Sequence, residues 1–203
     1  METLTLHMPG YRQNEYQLVL QPHEELRRKI RSAREAFYNR YKITAPRHPS
    51  AHLSIVRFHQ LEMMEEKILN RLQVIAMGQA PFKVELRNYG SFPSHSLFIK
   101  VETRQPVQKL VSAVKTNGRL LKLNNDHSPL FIDEPYFLIA SRLKPWQYEE
   151  GRLEYSQKQV TGRFIADNML LLKRPMGDKG AFQILKRFEF KDLPVLTKQG
   201  SFF

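Results

Sequence analysis

The chain has no cysteine in its 203 residues. That excludes a disulfide framework, a thiolate metal site and a cysteine nucleophile, and it suits a reducing compartment. Long hydrophobic runs are missing too. Stretches such as "FLIA" and "MLLL" are far too short to span a bilayer. The opening "METLTLHMPG" has neither a basic n-region nor a long apolar core, so no secretory signal is expected. These absences lead us to expect a soluble cytoplasmic protein with no membrane partner. No Walker loop, G-x-G-x-x-G or G-x-S-x-G occurs, so nucleoside-triphosphate hydrolysis and serine-hydrolase chemistry lack support. No Gly/Ser linker or low-complexity segment divides the chain. Residues 1–203 are expected to form a single two-lobed domain, and a monomer is favoured.

Negative charge is in short supply. There are 32 Lys and Arg against 20 Asp and Glu, a formal net charge of +12. Such an excess favours anionic partners. The basic residues recur in "RRKIRSAR", "RLLK", "SRLK" and "LLKRP". That dispersal points to a folded basic face rather than a disordered tail. An apolar fraction of 41%, with 13 Phe, 8 Tyr and 1 Trp, describes a globular chain.

What is present is a repeat. "YQLVL" reads as a strand. Pro22 then opens a helix in which Leu26, Ile30, Ala33, Phe37 and Tyr41 share a face. Glu24 and Glu25 complement the helix dipole in its first turn. After a loop with Pro46 and Pro49 comes the strand "AHLSIVRF", then the helix "LEMMEEKILNRLQVIAMG" and the strand "FKVELRNYG". The second half repeats the order. "SLFIKV" is a strand. Pro106 opens a helix with Val107, Leu110, Val111 and Val114 as its stripe, and Gly118 is expected to stop it. A loop leads to "EPYFLIASRL", a helix starts at Pro145, and "TGRFIADNMLLLKRP" and "AFQILKRFEF" close the pattern as strands. Strand–helix–strand–helix–strand, twice, reads as α/β or α+β. The expectation taken forward is α+β: two pseudo-symmetric lobes, each a small antiparallel-rich sheet backed by helices, around a central cleft.

In a strand, alternate side chains face opposite ways. Leu53 and Ile55 then build core, while His52, Ser54 and Val56 share the other face. An imidazole beside a hydroxyl makes a usable phosphate site: the hydroxyl donates to an oxygen, and the histidine gives or takes a proton. His-x-Ser alone is a weak signal, more often a satisfied pair than a site.

Three features together make the chain resemble the two-histidine phosphoesterase superfamily, in its 2'-5' RNA ligase-like and cyclic phosphodiesterase branch. They are "HLSI" in the first half, "EPYFLIASRL" in the second, and the length and order of the elements around both. The resemblance implies a His-x-Thr/Ser motif in each lobe, on facing strands that line a cleft. It implies action on 2',3'-cyclic phosphates or 2'-5' phosphodiester bonds without metal or cofactor. One histidine serves as base and the other as acid, and the two hydroxyls hold the phosphate. Opening a cyclic phosphodiester needs a proton removed from water and one delivered to the leaving oxygen, and two imidazoles flanking the phosphorus do this. Carried over, the resemblance makes His52 and Ser54 the first motif. The second departs from the pattern: Tyr136 stands where histidine is expected and Leu138 where the hydroxyl is, between matching flanks Pro135, Ile139, Ala140 and Arg142. Losing a positioned acid–base group typically costs about 10²- to 10⁴-fold. Tyrosine titrates near 10 and is a poor base at neutral pH. Leucine offers phosphate no hydrogen bond.

The expectation is a protein that binds RNA ends or cyclic nucleotide phosphates with impaired or lost cyclic phosphodiesterase activity. Its sites are His52, Ser54 and Tyr136 for catalysis, and Ser54, Arg142 and Lys144 for the phosphate ligand. The alternative is a non-catalytic RNA-, nucleotide- or phosphometabolite-binding module on the same fold. No metal is expected: His48, His52 and His59 are split by Pro49 and a strand. Tyr89, Phe92 and Trp146 are candidates for base stacking, with core packing as the commoner role. His95 and His127 read as loop histidines, and Asp133 and Glu134 as solvated carboxylates.

Overall fold

The computed structural model describes residues 10–44, 51–93 and 95–194. The loop with His48 and Pro49 and the tail "TKQGSFF" lie outside the described residues.

The first strand, β1 (Gln13–Leu20), is followed by α1 (Glu24–Arg40). Helix α1 forms because one side supplies Leu26, Ile30 and Phe37 to the core while Glu24 and Glu25 start it and Arg40 ends it with the charges its dipole favours. It stops at Tyr41, whose N–H donates to the Phe37 carbonyl at 3.0 Å, and Lys42 turns away with φ 48. Then follow β2 (Leu53–Leu61), a 3-10 turn at Glu62–Met64, α2 (Glu65–Met77), β3 (Phe82–Phe92) and β4 (Ser96–Val101). Helix α3 (Arg104–Lys115) runs into a short turn, α4 (Gly118–Leu121). Gly118 therefore opens that turn rather than terminating α3, whose stripe Val107, Leu110, Val111 and Val114 is buried as expected. The loop beyond contains a two-residue strand, β5 (Leu130–Phe131), before β6 (Tyr136–Ala140) and α5 (Pro145–Ser156).

"TGRFIADNMLLLKRP" is two strands, β7 (Thr161–Ala166) and β8 (Asn168–Pro175), and β9 (Gln183–Glu189) follows. The single strand expected there breaks at Asp167 because its two parts belong to different sheets. Sheet A has the order β5-β2-β1-β8-β9 and sheet B the order β6-β4-β3-β7. Every pairing is antiparallel. The fold is α+β with two sheets, each backed by helices.

The lobes are not the two halves of the chain. Strand β3, from the first half, lies in sheet B, and β8, from the second, lies in sheet A. The helices cross too. Helix α1 joins two strands of sheet A yet packs on β6 and β7 of sheet B, and α3 follows β4 of sheet B yet packs on β2 of sheet A. One contiguous apolar cluster results, holding Leu18 and Ile55 of one sheet with Ile99 and Phe137 of the other.

Candidate functional site

Strands β2 and β6 touch where the sheets meet. The same alternation governs both. Leu53 and Ile55 of β2, and Phe137 and Ile139 of β6, are at most 1% exposed and lie in the core. His52, just before β2, and Ser54 are half-buried, as are Tyr136 and Leu138. These four line one cleft of about 180 Å³, together with Arg34, Arg57, Phe92 and Ser96.

A backbone irregularity repeats beside each pair. In the β1–β2 ladder Leu18 faces Val56 and Val19 faces Ser54, so Ile55 has no opposite number. In the β4–β6 ladder Leu97 faces Ala140 and Phe98 faces Leu138, so Ile139 has none. Each is a β-bulge directly after the motif, of the kind that re-aims neighbouring side chains. The bulge also corrects an expectation: Val56 is fully buried rather than sharing the face of His52 and Ser54.

His52 has a buried Nδ1 with no hydrogen-bond partner among the described residues. Burial, then the nearby Arg57 and Arg34 charges, pushes its pKa down to about 4. The imidazole is therefore neutral at neutral pH. Arg34 is 2% exposed, yet it borders the cleft. Its Nε donates to the Leu138 carbonyl at 2.7 Å, so a cation from α1 is tied to the strand of the second motif. Burial lowers its pKa to about 10, which leaves it charged.

Arg142 and Lys144 do not line the cleft. Arg142 is exposed in a turn with φ 55. Lys144 caps α5, its backbone N–H donating to Gln147 Oε1 at 3.0 Å. Among the described residues, the cations that line the cleft are Arg34 and Arg57. The sequence held a signal for Arg34: it stands four residues after Ile30 and three before Phe37, on the buried stripe. A charged residue there needs a partner inside.

The other candidates scatter. Phe92 is in the cleft wall. Tyr89 packs edge-on against Tyr155, ring centres 4.9 Å apart. Trp146 is 49% exposed on α5. His95 lies beside Tyr148 at 5.0 Å, and His127 meets His59 at 5.2 Å. Asp133 pairs with Lys115 at 2.6 Å. Among the described residues no three His, Cys, Asp or Glu converge as a metal site would require. No described helix is long and apolar enough to cross a membrane. A larger groove, about 810 Å³, lies near the start of α1, but Glu25, Glu85 and Glu102 there offset Lys29, Arg87 and Arg163.

Residues 22–178 match the family model of the 2'-5' RNA ligase superfamily. No curated protein matches the sequence. Among solved structures, TT0787 of Thermus thermophilus is similar with a TM-score of 0.63 at 16% identity, over 87% of this chain and 98% of that one. E. coli LigT complexed with 3'-AMP gives a TM-score of 0.58 at 13% identity, over 88% of this chain and 98% of that one. LigT complexed with phosphate gives 0.59 at 12%, with the same coverage. At these identities the likeness establishes the fold.

Proposed function

The chain belongs to the 2'-5' RNA ligase superfamily, and from that premise we propose that its cleft binds the phosphate of an RNA end or a cyclic nucleotide, with cyclic phosphodiesterase turnover impaired or lost. The observation that carries this reading is the shared cleft: His52 and Ser54 line it together with Tyr136 and Leu138. The net charge of +12 supports an anionic partner. So does the likeness to LigT, which has been solved with 3'-AMP, phosphate and ATP.

In this reading Ser54 donates to one phosphate oxygen, and the Arg34 and Arg57 guanidiniums balance the others. Arg34 takes over part of the duty that Leu138 cannot perform. Arg142 and Lys144, outside the cleft, serve further phosphates of an incoming strand. Neutral His52 accepts a proton from the attacking water as its oxygen bonds to phosphorus. The bond to the departing ribose oxygen breaks, and that oxygen needs a proton. Tyr136 is the group left to deliver it, and a phenol gives up its proton far less readily than an imidazolium. Residues 1–203 act as one two-lobed unit, a reading supported by the core shared between both sheets.

A second reading is a module that binds and does not turn over. The low pKa of His52 favours it, because a base near 4 holds a proton poorly at neutral pH. An assay with 2',3'-cyclic nucleotides on the wild type and His52→Ala separates the two. Slow opening of the cyclic phosphate that disappears in His52→Ala supports residual catalysis. Binding without opening supports the module. Neither binding nor opening refutes both.

A further inference from the structure

Each bulge adds a third position to its motif. Strict alternation would turn the third residue past Ser54, and the third past Leu138, away from the cleft. The skipped residue resets the count. Ile55 and Val56 are both buried, and Arg57 returns to the cleft. Ile139 and Ala140 are both buried, and Ser141 returns to it in the same way. One lobe therefore presents His52, Ser54 and Arg57, and the other Tyr136, Leu138 and Ser141.

A second hydroxyl stands beside Ser141. Leu97 of β4 faces Ala140, and Ser96 and Ser141 are each one residue outward of that pair on their own strands. Ser96 is 9% exposed, and it too lines the cleft. Among the described residues neither hydroxyl has a hydrogen-bond partner. The oxygen of Ser96 is not sealed either: the buried side-chain atoms without a partner among the described residues are Asn14 Oδ1, Arg27 Nε and His52 Nδ1. On the side of the second motif the cleft is lined by Phe92, Ser96, Tyr136, Leu138 and Ser141. The polar side-chain groups of this set are three hydroxyls.

We propose that Ser96 and Ser141 bind the phosphate from the second lobe, in place of the hydroxyl that Leu138 lacks. The proposal rests on the phosphate reading of the cleft and adds how the ligand is held. A phosphodiester, cyclic or open, has two non-bridging oxygens. Ser54 and Arg57 take one, and Ser96 and Ser141 donate to the other. Tyr136 is left to face the departing ribose oxygen. The second lobe has then lost its imidazole without losing its grip on the phosphate, which separates binding from turnover.

Calorimetric titration of inorganic phosphate and 3'-AMP into Ser96→Thr, Ser96→Val and Ser141→Ala tests this. Threonine and valine have nearly the same shape, so the hydroxyl is what separates the first two. Ser96→Val should bind both ligands at least about fivefold more weakly than Ser96→Thr, the low side of a hydrogen bond to a charged group. Ser141→Ala should weaken binding by a similar factor against the wild type. Ser141 is exposed, so this variant folds whatever side chain position 96 tolerates. Equal binding by Ser96→Thr and Ser96→Val, while Ser54→Ala binds more weakly, overturns the second-lobe grip and leaves the phosphate site standing. Unchanged binding in Ser141→Ala overturns it as well. No binding of either ligand by the wild type overturns both.

Discussion

Ile55 and Ile139 occupy the same place in their strands: each is the residue that the partner strand skips. Each follows its motif directly, Ile55 after His52-Leu53-Ser54 and Ile139 after Tyr136-Phe137-Leu138. The backbone that presents a histidine and a hydroxyl in one lobe is therefore kept in the other, where the side chains differ.

Restoring those side chains should restore chemistry. The double change Tyr136→His with Leu138→Thr should raise hydrolysis of 2',3'-cyclic nucleotides by at least about tenfold, the low side of what a positioned acid–base group supplies. Steady-state assays on the folded variant check this. No gain means that the bulge alone does not aim a new imidazole at the phosphorus.

Arg34 bears on both folding and binding. Arg34→Met leaves the Leu138 carbonyl without its 2.7 Å donor and should cost roughly 1–3 kcal/mol, the penalty of an unpaired buried acceptor. Arg34→Lys keeps the charge but loses the planar fork. It should fold better than Arg34→Met yet bind 3'-AMP more weakly than the wild type. Denaturant melts paired with titrations separate the two effects.

The fold and the first motif were legible because they rest on local pattern. Period-two alternation in "HLSI" and "YFLIA" and the apolar stripe of α1 are written in adjacent residues. The rest depends on tertiary placement. Nothing local marks Asp167 as the point where β7 leaves sheet B and β8 joins sheet A. Arg34 read as surface charge because its partner, Leu138, is 104 positions away. Arg142 and Lys144 follow the second motif in sequence, yet neither lines the cleft, a placement that nothing in the local pattern reports. Leu130 and Phe131 looked like loop because a two-residue strand exists only through its pairing with Val56 and Arg57.

Acid should weaken the folded state through His52. Its folded pKa lies at about 4, against near 6.5 for an unfolded histidine. Between these values the unfolded chain holds the extra proton, so stability is full above about 6.5 and is lost as pH falls toward 4. Each tenfold change in proton affinity is worth about 1.4 kcal/mol, so this window carries on the order of 3 kcal/mol. In His52→Gln that part of the slope should vanish. Urea midpoints for both proteins between pH 7.5 and 4.5, in steps of about half a unit, measure the difference. Parallel curves would mean His52 titrates normally. Bound phosphate opposes the depression, so ligand binding at about pH 6 should take up a proton, which calorimetry in two buffers detects.

The central claim is that the cleft between β2 and β6 holds a phosphate. Titration of a short RNA ending in a 3'-phosphate, at low and at raised salt, into wild type, Ser54→Ala and Arg57→Gln tests it most directly. The account predicts binding at low salt that weakens as salt rises, because cationic contacts release counterions. Ser54→Ala should lose about 1 kcal/mol or somewhat more, as for a hydrogen bond to a charged group, and Arg57→Gln should flatten the salt dependence. No binding at low salt, or binding unmoved by both substitutions, would contradict the phosphate site and leave the positive charge to another purpose.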